Sequence, residues 1–159
     1  MSEITIRKGT AADMPVVHAL IRELALYEKE LEAVETTAEI FAQDGFGERP
    51  YFECFVADHQ TEGVVGVCLF YFAYSTWKGK MVYLDDLVIT ETHRRKGIGN
   101  MLLKRLATYG HENDAALVRW QVIDWNEPAI NMYKKLGAEI DETWHNCTIR
   151  RDKMANWDG

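Results

Sequence analysis

Tyr83-Leu84-Asp85-Asp86-Leu87-Val88-Ile89, followed by Arg94-Arg95-Lys96-Gly97-Ile98-Gly99 and a run to Tyr109, is the stretch on which the fold turns. An apolar run of strand length, Met81–Ile89, passes through a basic loop with two glycines. The loop opens a helix over Gly97–Tyr109, whose Ile98, Met101, Leu102, Leu106 and Tyr109 share one face. Glycine lets a backbone approach a ligand closely and turn its N–H groups to a common point. The helix N-terminus behind it adds partial positive charge. Arg94, Arg95 and Lys96 place three cations on this loop in a chain whose net charge is −7. A pyrophosphate fits such a loop, and a tight turn on a solvated basic face explains the same residues equally well. A P-loop is excluded because the GxxxxGK[ST] spacing is absent. A dinucleotide-binding βαβ unit is excluded because the third glycine is missing and antiparallel strands precede the loop.

Working outward, Tyr51–Ala57, Val64–Tyr74 and Met81–Ile89 read as strands of an antiparallel meander, turned at Glu62-Gly63 and Lys78-Gly79-Lys80. Upstream, Ile4–Arg7 alternates as a short strand. Thr10 then caps a helix with Met14, Val17, Ile21, Leu24 and Leu31 at helical spacing, running to about Glu30. Thr37 caps a second helix ending near Gln43, where Asp44-Gly45-Phe46-Gly47 breaks it. Downstream come a strand over Leu117–Ile123 and a helix over Glu127–Leu136 with Pro128 in its first turn and Gly137 after its end. A last strand follows over Trp144–Arg150. The order β-α-α-β-β-β-α-β-α-β predicts an α/β (α+β) fold, a mixed and mostly antiparallel sheet with helices on both faces.

With 159 residues and no linker, repeat or low-complexity segment, the chain reads as one domain over 1–159. No window approaches the ~18 apolar residues of a membrane span, and no signal peptide opens the chain, so a cytoplasmic protein with no membrane partner is expected. Its acidity repels phosphate backbones, which argues against nucleic acid. The three cysteines, Cys54, Cys68 and Cys147, have no CxxC spacing and read as small buried hydrophobes. The five histidines show no ligand spacing such as HExxH, and no metal is expected.

The strand with Arg94-x-x-Gly97-x-Gly99 resembles the acyl-CoA signature of the GCN5-related N-acetyltransferases. Arg7 with Thr10-Ala11-Ala12-Asp13, Ile21 to Leu24, Tyr27-Glu28, Asp44-Gly45-Phe46-Gly47-Glu48, Tyr83-Leu84, and Trp125-Asn126-Glu127-Pro128 with Asn131, Tyr133-Lys134 and Gly137-Ala138 are collinear over nearly the whole chain. They resemble the spermidine/spermine (diamine) N1-acetyltransferases and their thialysine-acetylating relatives. The resemblance implies that acetyl-CoA is the co-substrate and a small cationic amine the acceptor. It implies that the backbone of Leu87, Val88 and Ile89 holds the thioester arm. Arg95, Lys96, Gly97, Ile98, Gly99 and Asn100 would bind the pyrophosphate with Arg94 beside them. Asn126, Glu127, Pro128 and Ala129 would line the far side of the cofactor, and Tyr133 would be the general acid. Tyr27, Glu28, Asp85, Arg119, Trp120, Gln121 and Glu142 would contact the amine. It also implies a homodimer, often with exchanged C-terminal strands, for which Trp144–Arg150 offers the edge.

The chemistry is coherent. An aliphatic ammonium with pKa of about 10.4 must lose a proton, at roughly 4–5 kcal/mol near neutrality, before it can attack. The departing thiolate needs an acid, and a placed phenol suits it. Asp85 and Asp86 are adjacent on a strand, so they should point to opposite faces and only one should reach a given cleft. The resemblance favours Asp85, where the mammalian enzymes carry Glu, with an ordered water bridging the shorter arm. That change and the shorter Glu139–Cys147 segment bear on the acceptor pocket, so thialysine, another lysine-like amine, an amino terminus or an aminoglycoside amine are alternative acceptors. A non-catalytic acyl-CoA sensor is the alternative of another class, and the presence of Tyr133 beside the glycine loop argues against it.

Overall fold

The structure is a computed structural model and describes residues 3–156. The chain divides after Gln121 into two compact units. The first holds a five-stranded sheet in the order β1 (Ile4–Lys8), β2 (Glu53–His59), β3 (Gly63–Ser75), β4 (Gly79–Ile89) and β5 (Val118–Arg119). The first four strands pair antiparallel and β5 joins β4 in parallel. Helices α1 (Met14–Tyr27), α2 (Ala38–Phe46) and α3 (Ile98–Glu112) complete this unit. The second unit contains α4 (Glu127–Lys135) and α5 (Arg151–Ala155).

Strand alternation sorts the core onto two faces. Met14, Val17 and Leu20 of α1 pack with Cys54, Val56, Val67, Leu69 and Val88. On the opposite face Ile98, Leu102 and Leu106 of α3 pack with Phe55, Cys68, Phe70, Val82 and Leu84. Each such side chain, fully buried, stabilises the fold by about 1.5–3 kcal/mol. The helix entry is fixed by charge: Arg7 donates to both oxygens of Asp13 at 2.8 and 2.9 Å and to Asp58 at 2.7 Å, while Asp13 accepts from the Thr10 amide at 2.8 Å. The Arg7 guanidinium holds the Asp13 carboxyl down to about 2.

Five expectations change. The first helix stops at Tyr27, and Leu31 falls in a separate 3-10 turn, Leu31–Ala33. Thr37 caps α2 as expected, accepting from the Ile40 amide, but α2 continues through Asp44-Gly45-Phe46 to a C-cap at Gly47. Gly45 is there for close packing rather than as a breaker, since a Cβ on it would stand 2.5 Å from the Phe52 ring. The strand expected over Leu117–Ile123 pairs only at Val118–Arg119. Residues 144–150 form no strand among the described residues; no neighbouring edge covers them, and all are exposed. The strong helix formers after them give α5 instead. Cys147 is exposed, whereas Cys54 and Cys68 are buried as expected. Among the described residues no helix is long and apolar enough to cross a membrane.

Candidate active site

A β-bulge decides the geometry of β4. Leu69 of β3 stands opposite Asp86 and Phe70 opposite Leu84, which leaves Asp85 as an extra residue. One extra residue inverts the alternation beyond it. Val82 and Leu84 face the α3 core, and beyond the bulge so do Leu87 and Ile89, while Val88 faces α1. Asp85 and Asp86 therefore both line one cleft of about 260 Å³, with Asp44, Phe41, Phe52 and Tyr71. The expectation that adjacent aspartates point to opposite faces is corrected here, because it assumed an unbroken strand.

Asp86 also borders a second recess of about 190 Å³ at the end of α1, lined by Ile21, Leu24, Glu28 and Val34. Burial pushes the Asp86 carboxyl up to about 7, aided by the charge and hydrogen bond of Asp85 and then by the charge of Glu28. Burial raises Glu28 as well. Tyr71 and Tyr83 stack with centroids 5.3 Å apart, and both phenols are raised, first by burial and then by Asp85. Clustered carboxylates beside aromatic rings make a site for a cation. Asp44, Tyr71, Tyr83 and Asp86 were not assigned to a site from the sequence. No local pattern marks a bulge, although Asp86 and Tyr83 lie inside the decisive stretch.

The expected amine contacts separate. Glu28 and Asp85 come together around Asp86. Tyr27 lies under the Arg94 guanidinium, 5.8 Å from it. Arg119 pairs with Tyr83 across β4–β5 and is exposed, as is Gln121. Trp120 has the opposite parity to Arg119 and packs, partly buried, against the α3-side core.

At the other end of β4 the chain makes a 3-10 turn over Glu91–His93 and enters the basic loop. Arg94 braces that loop: its Nε donates to the Ile89 carbonyl at 3.0 Å and its Nη2 to Glu23 at 3.2 Å. Glu23 also accepts from the Glu91 amide and the Thr90 hydroxyl. Arg95 and Lys96 are exposed and form no ion pair among the described residues. Gly97, at φ +80°, is the N-cap of α3 and offers no side chain to the amides of the first turn. A Cβ on Gly97 or Gly99 would meet no protein atom within 4 Å. An uncapped helix start, open space over two glycines and two uncommitted cations fit a diphosphate. Beyond Tyr83 β4 loses β5, so among the described residues Leu87, Val88 and Ile89 have no strand on that edge.

In the second unit Asn126 caps α4, its Oδ1 accepting from the Ala129 amide at 3.4 Å, with Glu127 and Pro128 in the first turn. Tyr133 is the buried residue of α4, and its carbonyl accepts from the Ala138 amide at 3.0 Å around Gly137 at φ +82°. Glu142 is exposed in a turn where Asp141 accepts from the Thr143 amide.

The acetyltransferase (GNAT) family matches residues 17–138. The thialysine N-epsilon-acetyltransferase of Bos taurus is 39% identical over 97% of this chain and 96% of its own length. The spermidine/spermine N(1)-acetyltransferase-like protein 1 of Homo sapiens is 36% identical over 97% of this chain and 24% of its own length. Among solved structures, the V. cholerae integron cassette protein VCH_CASS6 superposes with a TM-score of 0.78 at 20% identity, over 98% of both chains.

Proposed function

Because the chain belongs to the acetyltransferase (GNAT) family, we propose that it moves the acetyl group of acetyl-CoA onto a primary amine of a small cationic substrate of the polyamine or diamine kind. The observation that carries this reading is the meeting of Asp44, Asp85 and Asp86 in one cleft, with Glu28 behind Asp86. A dication gains from several carboxylates at once, and the Tyr71–Tyr83 stack gives its methylene stem an aromatic wall.

Acetyl-CoA supplies an activated acetyl thioester. The first-turn amides of α3, with Arg95 and Lys96, hold its diphosphate, and the open edge of β4 at Leu87–Ile89 receives its arm. For Asn126–Ala129, a place on its far side rests on the resemblance alone. The ammonium proton goes to Asp86 Oδ, directly or through water. A carboxylate raised to about 7 is better matched to that task near neutrality than an ordinary one. Asp85, which the resemblance favoured for proton removal through an ordered water, and Glu28 bind and orient the amine. The Tyr133 hydroxyl protonates the departing sulfur. A homodimer belongs to the same proposal, with the exposed segment 144–150 as its contact; sedimentation as a clean monomer rejects that part.

A second reading replaces the polyamine by thialysine or a lysine-like amine, and the relatives that bear that name favour it. One assay separates the two: thiol release from acetyl-CoA with spermidine, spermine, putrescine, lysine and thialysine. Turnover with at least one flexible diamine-like acceptor is expected. A flat response across the panel, with acetyl-CoA still bound, makes the chain a sensor instead. Tyr133→Phe should lower turnover by about 10²–10⁴-fold with little change in cofactor affinity; unchanged turnover removes Tyr133 from its role.

A further inference from the structure

Away from the cleft, the β2–β3 turn and the 3-10 turn before the basic loop bring two histidines and a glutamate to one point. His59 ends β2, Glu62 sits in the turn, and His93 closes the 3-10 turn. One ligand atom from each lies within 4.8 Å of the others. Glu62 Oε1 is 3.4 Å from His93 Nε2 and 3.9 Å from His59 Nδ1.

We propose that His59 Nδ1, His93 Nε2 and the Glu62 carboxylate bind a divalent transition-metal ion of the zinc class, with water completing its coordination. Two imidazoles and one carboxylate suit such an ion. At a tetrahedral centre with bonds of about 2.0–2.1 Å, two ligand atoms stand roughly 3.3–3.5 Å apart. The Glu62–His93 separation already has that value, the Glu62–His59 separation must close by about half an ångström, and no pair in the cluster exceeds 4.8 Å, so binding draws the two rings together around the ion. The two contacts of the Glu62 carboxylate with the rings are too long for firm hydrogen bonds.

The groups behind the rings point the same way. A metal-bound histidine commonly has its other nitrogen held by an oxygen. His93 Nδ1 lies 3.0 Å from Thr92 Oγ1, and His59 Nε2 lies 3.4 Å from Glu3 Oε2. His59 Nδ1 also accepts from the amides of Thr61 and Glu62 at 3.3 and 3.2 Å and contacts the Thr61 hydroxyl at 3.3 Å. A metal would replace these long bonds. His93 is buried while the Glu62 side chain is 56% exposed, so an ion has a route in from solvent. It would tie the β2–β3 turn to the residue just before Arg94 and fix the start of the basic loop, whatever ligand that loop takes.

The test uses the full chain after chelator treatment, titrated with zinc chloride in a calorimeter and with cobalt chloride followed by visible absorption. One ion per chain is expected, with a higher melting temperature in zinc and ligand-field bands from cobalt. Glu62→Ala alters an exposed turn residue. It should weaken zinc binding at least about tenfold and leave the melting temperature of the metal-free protein in place; Glu3→Gln should weaken it by about 10–100-fold. Because His93 is buried and its loss endangers the fold, His59→Gln serves as the second ligand variant. Absence of saturable zinc uptake overturns the proposal, and so does uptake that Glu62→Ala and His59→Gln leave unchanged. None of these readouts depends on acetyl transfer.

Discussion

The two ends of β4 solve opposite problems by different means. At the bulge, side chains distant in sequence (Glu28, Asp44, Tyr71) are gathered around Asp85 and Asp86, and burial raises the carboxyls of Asp86 and Glu28. At the loop, ten consecutive residues from Thr90 to Gly99 supply backbone amides and exposed cations, and nothing there is buried except His93 and Ile98. The first site is assembled by tertiary structure and, in the proposed function, takes a cation. The second is assembled by local backbone geometry and, in the same proposal, takes an anion. A site of the first kind is tuned by its neighbours, so its failures appear in pH profiles. A site of the second kind is tuned by shape, so its failures appear in affinity.

Asp86→Asn should produce the largest effect. The asparagine cannot accept the ammonium proton, so turnover should fall by about 10²–10⁴-fold. In the parent protein kcat/KM should decline as pH falls through about 7, where Asp86 takes up its proton, and the variant should lack that limb. A variant that keeps both its rate and its acid limb would move proton transfer elsewhere. Stability should change in the other direction. The folded state holds the Asp86 proton between pH 4 and pH 7 where the unfolded chain does not, so stability falls as pH rises through that window. Removing the charge should raise the melting temperature at pH 8.

Gly99→Val addresses the other end and should cost less. A Cβ at Gly99 has no neighbour beyond its own helix within 4 Å, so the fold should tolerate it, and replacing glycine within the first turn of α3 removes a poor helix former. The same side chain occupies the space over the amides. Acetyl-CoA affinity should fall about tenfold, near 1.4 kcal/mol, without loss of melting temperature and without a change in the pH limb. Equal affinity in the variant would mean that the diphosphate lies elsewhere.

The contrast also explains what could be read from the sequence. The strand-to-helix turn at the loop was legible because its information is local: Gly97 and Gly99 stand between an apolar strand and an amphipathic helix, and Gly97 does take positive φ as the N-cap of α3. The meander was legible through its turns, and Gly63 and Gly79 do take positive φ. The bulge was not legible, because Asp85 and Asp86 look like any adjacent pair until the register with Leu69 and Phe70 is known. The side of the sheet that Trp120 takes was not legible for a related reason: its neighbour Arg119 has the parity of Tyr83, and parity cannot be assigned to a two-residue strand without its partner. The strand expected over 144–150 failed because alternation describes a surface that could pair, and no strand lies beside it among the described residues.

The smallest expected effect is the most specific probe of tuning by neighbours. Glu28 is the last of the groups that raise Asp86, after burial and the contributions of Asp85. Glu28→Gln keeps the size of the side chain and removes one negative charge. A carboxyl freed from a neighbouring charge ionises more readily, so the acid limb of kcat/KM should shift to lower pH, by a fraction of a unit. If Glu28 also contacts the amine, KM for a dicationic acceptor should rise while KM for a monoamine stays in place, because only the second ammonium loses its partner. A limb that stays fixed while both KM values rise would show that Glu28 shapes the recess through packing, with no electrostatic part in tuning Asp86.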